Sequence, residues 1–124
     1  MDLKRFQWKN RLLLLFAPDA STPEYVEQWN KIYKHLPGMD DRDLRVMSFF
    51  EEDGGDFDGD EIDEVSVEEL RRRFRIKRGM IAVVLVGKDG TEKLRKPLPA
   101  DVQPIFDLID SMPMRQREME QDED

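Results

Sequence analysis

The chain has 124 residues and a formal net charge of −8, with 39% hydrophobic residues, 39% charged residues and no cysteine. A chain of this length can form one hydrophobic core and is too short for two, so we expect a single domain over residues 1–124. The absence of cysteine excludes disulfide bonds, thiolate metal sites and every thiol-dependent reaction, and with them a thiol oxidoreductase.

The amino-terminal segment places four basic residues before the apolar run 12–16. This order is similar to a signal peptide, but the run is shorter than the roughly 7–15 residues of a signal sequence and far below the roughly 20 of a membrane span. We therefore interpret 12–16 as a buried strand and expect a cytoplasmic protein that does not bind membranes. A secreted or periplasmic location is the alternative if a signal peptide has been removed.

The first half of the chain predicts a strand, a helix and a second strand. After 12–16, the residues Ser21-Thr22-Pro23-Glu24 combine helix-capping groups with a proline suited to the first turn. Apolar residues then recur at helical spacing as far as Leu36, and Pro37-Gly38 predicts the end of the helix. Residues 44–50 alternate in polarity, which indicates a second strand.

Residues 51–64 carry nine acidic residues and no basic residue. So many like charges favour a mobile, solvated loop. The order Asp56-Phe57-Asp58-Gly59-Asp60 is similar to a calcium-binding loop, but with Gly59 at the sixth position the first and last ligand positions hold Gly54 and Val65. A weak divalent-cation site that orders the loop is left as an alternative.

The second half predicts a helix, a hairpin and a final helix. Ser66-Val67-Glu68-Glu69 has the form of a capping box, for a helix through Phe74. Residues 80–86 are rich in β-branched side chains, and the Asp-Gly turn after them predicts a hairpin with residues 91–96. Asp101 is placed to cap the last helix, which Pro113 interrupts before a frayed tail at 120–124.

The predicted order is therefore β-α-β-α-β-β-α. A right-handed crossover between the first two strands leaves few topologies. The one that covers both faces of the sheet with helices is an α/β fold with a four-stranded mixed sheet, the thioredoxin-like arrangement. It places strand 80–86 beside 12–16 and pairs it antiparallel with 91–96.

Three motifs resemble a known family. They are Trp8-Lys9-Asn10-Arg11 with residues 12–18, Val86-Gly87-Lys88-Asp89-Gly90, and Asp110-Ser111-Met112-Pro113-Met114-Arg115-Gln116 with Glu118-Met119. Together they resemble a bacterial domain of unknown function that is related to a domain of vertebrate sushi-repeat and DUDES matrix proteins. The resemblance implies a thioredoxin/peroxiredoxin-like fold and no particular activity.

Residues 18–25 are also similar to the active-site segment of peroxiredoxins. Tyr25 stands where the peroxidatic cysteine would be, Thr22 matches the family's threonine, and Arg78 is a candidate for its arginine. Without a thiolate the peroxide chemistry has no attacking atom. We therefore interpret Thr22, Tyr25 and Arg78 as a pocket for a small anion, with a well-capped helix and no ligand as the alternative.

Two further segments are candidate surfaces. The basic run 71–78 has a single aromatic residue, too few for a base-stacking platform, so we expect no nucleic-acid binding and a charge balanced by the acidic segment. Met112, Met114 and Arg115 form an adaptable apolar patch with a polar rim, which favours contact with a protein partner. The alternative is that these methionines cover the core.

The sequence thus predicts a non-catalytic module that binds a protein or a small anionic ligand, with no cofactor and no metal. The alternative is a cysteine-independent enzyme that uses the pocket near Thr22, Tyr25 and Arg78. His35, the single histidine, is interpreted as a helix-terminal residue, because no Ser-His-Asp set is available around it.

Overall fold

The computed structural model describes residues 2–122. Along these residues the chain forms a 3₁₀-helix and then, in order, strands and helices that we label here. They are the 3₁₀-helix Leu3–Phe6, β1 (Arg11–Phe16), α1 (Pro23–Tyr33), α2 (Leu36–Asp41), β2 (Leu44–Phe49), β3 (Gly55–Phe57), β4 (Asp60–Ile62), α3 (Glu64–Arg73), β5 (Ala82–Val86), β6 (Glu92–Pro97), α4 (Val102–Asp110) and α5 (Pro113–Asp122).

The strands form one mixed sheet in the order β4-β3-β2-β1-β5-β6. Strand β1 runs parallel to β2 and antiparallel to β5, so that Leu14 lies opposite Met47 on one side and Val84 on the other. Strand β5 pairs antiparallel with β6. The predicted α/β fold is confirmed, and so is the position of the 80–86 strand between 12–16 and 91–96.

Strand β1 is buried along its whole length because helices cover both faces of the sheet. On one face Leu12, Leu14 and Phe16 pack in a cluster that includes residues of α3 and of the 3₁₀-helix. On the other face Leu13 and Leu15 pack in a cluster with residues of α1, α2 and α4. A strand buried on both faces needs a continuous apolar sequence, which is what residues 12–16 provide.

The acidic segment is where the structure departs most from the predicted fold. Instead of a loop it forms the hairpin of β3 and β4, which extends the sheet from four strands to six. The side chains of Phe57 and Ile62 are buried, at 8% and 4% exposure, while the acids between them point outward. Phe57 and Ile62 anchor the hairpin in the core. The many charges of the segment predict a loop because they outnumber these two apolar residues.

The helix boundaries also differ in two places. The first predicted helix ends at Tyr33, and Pro37-Gly38 lies inside α2. A Cβ on Gly38 would come within 2.5 Å of the Phe106 ring, so glycine serves here as a close-packing residue of the helix. Helix α3 is capped by Asp63, which accepts hydrogen bonds from the Ser66 backbone and hydroxyl, so its start lies before the predicted capping box.

Near the chain ends, α5 is helical through Asp122, so residues 120–122 do not form the predicted frayed tail. Residues 123 and 124 of that tail lie outside the described residues.

His35 lies at the amino end of α2, where its ring contacts Phe106 edge-on. No helix within residues 2–122 has the length and apolar character needed to cross a membrane.

The β3–β4 hairpin depends on Gly54, and this can be tested against a second glycine. Gly54 has φ of +71° and an added Cβ would overlap the carbonyl oxygen of Ile62, whereas Gly59 has φ of +84° and open space around it. We expect Gly59→Ala to cost only the backbone strain of about 1–2 kcal/mol. Gly54→Ala should cost about 2–5 kcal/mol in the free energy of unfolding, because overlap adds to strain.

Urea unfolding of the two variants gives the comparison. Equal losses in both would mean that the β3–β4 hairpin does not pack as described.

Candidate functional site

The turn before α1 already holds a negative charge. The Asp19 carboxylate accepts hydrogen bonds from the Ser21 backbone at 2.9 Å, the Ser21 hydroxyl at 2.7 Å and the Thr22 hydroxyl at 3.4 Å. The hydrogen bonds from Ser21, with those from Thr22, hold the pKa of Asp19 below its usual value. A second anion at Thr22 would therefore meet an ionised carboxylate.

The predicted pocket of Thr22, Tyr25 and Arg78 is not gathered into one cavity. The Tyr25 hydroxyl is hydrogen-bonded to the hydroxyl of the buried Ser48 at 2.8 Å. The side chain of Arg78 is 72% exposed and lies 3.8 Å from Glu52. Tyr25 and Arg78 line two separate clefts, and Thr22 is in the lining of neither.

The predicted partner patch is divided in the same way. Met112 and Met114 are partly exposed and line a small cavity of about 150 Å³ with Lys93. Arg115, by contrast, is only 3% exposed. The expectation that Arg115 lies on an exposed rim is therefore wrong, because Arg115, in the first turn of α5, places its guanidinium against Asp41 of α2 and Asp110 of α4.

Arg115 belongs to a network of ion pairs in which its own guanidinium is buried and the carboxylates are partly exposed. It donates to Asp41 at 2.7 Å and to Asp110 at 3.1 Å, and Asp110 also pairs with Arg42 at 2.7 Å. Although burial raises the pKa of Asp110, the hydrogen bonds from Arg42 and Arg115 hold that pKa below its usual value. These contacts join α2, α4 and α5.

Glu118 links this network to the sheet. It accepts two hydrogen bonds from the Arg11 guanidinium, at 3.1 and 3.2 Å, and one from Lys88 at 2.7 Å. Arg11 is 1% exposed and begins β1, while Lys88 follows β5 and also pairs with Asp43 at 2.9 Å. Residues from all three motifs that resemble the family, Arg11, Lys88 and Glu118, thus hold α5 against one end of the sheet.

A cleft of about 720 Å³ lies between α1, α2 and the turn of the β3–β4 hairpin, and we call it the aromatic cleft. Large apolar side chains of α1 and α2 form one wall, and three of them are unusually exposed: Val26 at 45%, Tyr33 at 62% and Leu36 at 47%. The Trp29 and Tyr33 rings pack together with their centroids 5.2 Å apart. The volume is typical of ligand sites in proteins.

The charged groups of the aromatic cleft are three carboxylates and one guanidinium. Asp40, Asp56 and Asp58 face a single Arg45. Arg45 forms an ion pair with Asp58 and lies over the Phe57 ring at 4.9 Å. Within residues 2–122, neither Asp40 nor Asp56 has an ion-pair partner. The cleft therefore carries an excess of negative charge beside aromatic faces.

The sequence signals for this cleft were present but were assigned to other roles. The helical spacing of apolar residues as far as Leu36 predicts a buried helix face, but Gln28 and Ile32 are the fully buried residues of α1, and Trp29 and Tyr33 line the cleft. The acids of 51–64 predict a solvated loop, and only the hairpin brings Asp56 and Asp58 against α1. No cluster of three or more potential metal ligands is present in the part of the chain that the structure describes.

Removal of the Glu118 charge tests the ion-pair network. In Glu118→Gln the Arg11 guanidinium stays buried without its carboxylate, so we expect a loss of about 3–5 kcal/mol in the free energy of unfolding. Glu120→Gln, on an exposed position of the same helix, is the matched control and should change it by less than about 0.5 kcal/mol. Similar effects of the two substitutions in urea unfolding would contradict the network.

The same network predicts a dependence on pH. Burial raises the pKa of Glu118, but hydrogen bonds from Arg11 and Lys88 outweigh it and hold the pKa below 4.5, its ordinary value. The stabilisation is therefore complete above pH 4.5 and is lost as the pH falls through the folded-state pKa. The difference in unfolding free energy between the wild type and Glu118→Gln should shrink on acidification, and a difference that is constant down to about pH 3 would contradict this.

The chain is similar in sequence to one protein family and to parts of two longer proteins. The family model described as "Domain of unknown function (DUF4174)" matches residues 2–118. "Coiled-coil domain-containing protein 80" of Danio rerio is 29% identical over 133 residues, which cover 94% of this chain and 15% of that protein. Human "Sushi repeat-containing protein SRPX2" is 28% identical over 122 residues, 96% of this chain and 26% of that protein. The chain thus spans a small part of each of these relatives.

Solved structures match the fold. The reduced 2-Cys peroxiredoxin of Plasmodium vivax superimposes with a TM-score of 0.69 at 15% sequence identity, over 94% of this chain and 85% of that one. The bacterioferritin comigratory protein of Xanthomonas campestris gives a TM-score of 0.66 at 14% identity, over 90% and 84% of the two chains. The predicted fold and family resemblance are confirmed: the fold is thioredoxin/peroxiredoxin-like in a chain without cysteine, and this chain belongs to the family described as a domain of unknown function, DUF4174.

Proposed function

We propose that this chain is a non-catalytic binding module, and that its aromatic cleft binds a lysine or arginine side chain of a partner protein. The observation that carries the proposal is the coincidence, in one cleft, of exposed apolar side chains with two carboxylates, Asp40 and Asp56, that have no ion-pair partner among residues 2–122. Either feature alone is common on protein surfaces. Together they match a ligand that is apolar along its stem and cationic at its tip.

The groups that an enzyme would need at the peroxiredoxin-like position are already hydrogen-bonded within the chain. Tyr25 is bonded to Ser48, and Thr22 to Asp19. The chain also has no cysteine to act as a nucleophile. These contacts favour the binding module over the cysteine-independent enzyme that was the alternative.

The exposed apolar side chains supply the energy of such a contact. Tyr33, Val26 and Leu36 are each more than 40% exposed, and an apolar patch of this kind marks interaction sites on soluble proteins. The Trp29 and Tyr33 rings offer faces on which a cation is stabilised by about 0.5–2 kcal/mol. Arg45 of the chain itself shows the same combination of contacts, because its guanidinium lies over the Phe57 ring and pairs with Asp58.

The carboxylates supply selectivity for a cationic partner. Because Arg45 is occupied by Asp58, the charges of Asp40 and Asp56 are available to a basic side chain. Complementary charge speeds association and excludes acidic partners.

Met112 and Met114 form a smaller candidate surface for a partner, since their cavity is only about 150 Å³.

The test uses a tetra-arginine peptide as a probe and the fluorescence of Trp29 as the signal. Trp8, the other tryptophan, is exposed and is replaced by phenylalanine in the background. The peptide should quench Trp29 saturably. Tyr33→Ala should weaken binding by about 2- to 30-fold, the range expected for loss of one cation–aromatic contact.

A pair of double variants separates a defined cleft from attraction to an acidic protein. Asp40→Asn with Asp56→Asn removes two charges inside the cleft, and Glu69→Gln with Glu120→Gln removes two exposed charges outside it. Only the first pair should weaken binding strongly. Equal weakening by both pairs, or no saturation with wild type, would show that the peptide responds only to the net charge of −8.

A further inference from the structure

We propose that a second cleft, lined by Arg71 and lying beside the residues that follow β2, binds a small monocarboxylate anion. This cleft, which we call the Arg71 cleft, has a volume of about 590 Å³. Its walls come from the residues after β2, from α3 and from the segment that precedes β5. The lining residues are Phe50, Glu51, Glu52, Glu64, Val67, Glu68, Arg71, Arg72, Ile76 and Arg78.

Arg71 is the residue that points to a ligand. It is 8% exposed, and its Nη1 atom is buried without a hydrogen-bond partner in residues 2–122. A buried donor left unpaired costs about 1–3 kcal/mol, and more when it is charged. Native proteins therefore pair such groups with protein, water or a ligand.

The remaining contacts of Arg71 do not neutralise it well. Its Nη2 donates to the carbonyl of Lys77 at 2.9 Å and lies 3.5 Å from Glu51. That is longer than the roughly 2.7–2.9 Å of a strong charge-assisted hydrogen bond. The same Glu51 oxygen accepts the Gly79 backbone N–H at 2.5 Å, so its charge is shared.

The pKa of Arg71 reflects the same imbalance. Burial lowers this pKa below the usual value of arginine, and the charge of Arg78 acts in the same direction, while Glu51 opposes them. The guanidinium stays charged, because the pKa of arginine is far above neutral pH. A further anion near Nη1 would complete its compensation.

The lining selects the class of anion. Four glutamates face three arginines, so a dianion such as phosphate would be repelled more strongly than a monoanion. Phe50, Val67 and Ile76 add apolar surface that suits a short hydrocarbon tail. A small monocarboxylate combines one acceptor for Nη1 with such a tail.

Propionate is the probe, and propionamide, with the same shape and no charge, is the matched control ligand. Propionate should raise the melting temperature of the wild-type protein saturably, because a ligand that binds only the folded state stabilises it. In ¹H–¹⁵N spectra the amides of Ile76 and Gly79 should shift along the same titration. Propionamide and inorganic phosphate, at matched ionic strength, should have little effect.

Variants assign the effect to Arg71. Arg73→Met, which removes an exposed arginine of the same helix outside the cleft, should retain most of the response, and Arg71→Met should abolish it. If Arg71→Met does not fold, the wild-type spectra still decide the outcome. No saturable response of wild type to propionate, as expected if water alone satisfies Nη1, would overturn the proposal, and so would equal responses to propionamide or phosphate.

This inference is independent of the aromatic cleft. Tyr33→Ala should leave the propionate titration unchanged, and Arg71→Met should leave the tetra-arginine titration unchanged. Failure of one proposal is therefore distinguishable from failure of the other.

Discussion

A buried guanidinium at the start of the central strand is the constraint on which the rest of this structure depends. Arg11 is 1% exposed, and a charge so deeply placed is tolerated only when it is paired and hydrogen-bonded. The carbonyl of Arg42 and the carboxylate of Glu118 meet this need. Because Glu118 lies on α5, the burial of Arg11 decides where the last helix must pack, and Arg115 then ties that helix to α2 and α4.

This constraint changes the interpretation of the third motif, residues 110–119, which the sequence analysis treats as a surface for a partner. Residues 110–118 have the chemistry of a functional surface, with arginines, acids and methionines close together. In the structure the charged groups of Asp110, Arg115 and Glu118 pair with one another and with residues of β1, α2 and the turn after β5, so these three side chains hold α5 in place. Pro113 begins α5 and so redirects the chain from α4 into that network.

The aromatic cleft and the Arg71 cleft are the two candidate binding sites that we propose for this peroxiredoxin-like fold without cysteine. The acidic segment contributes to both of them: Asp56 and Asp58 line the aromatic cleft, whereas Glu51 and Glu52 line the Arg71 cleft. The hairpin formed by β3 and β4 is what separates these charges.

Most elements of this fold could be predicted locally, because each depends on residues close together in sequence, whereas α2 and the β3–β4 hairpin could not. The apolar run of β1, the β-branched run of β5 and the Asp-Gly turn after it are such signals, and the absence of thiol chemistry follows from composition. The candidate sites could not be predicted in this way. Arg11 and Glu118 are 107 positions apart in the sequence. Tyr33 lines the same cleft as Asp56 and Asp58 only because β3 pairs with β2 in the sheet. Whether a charge is buried or exposed depends on which distant group packs against it, and only the tertiary structure decides that.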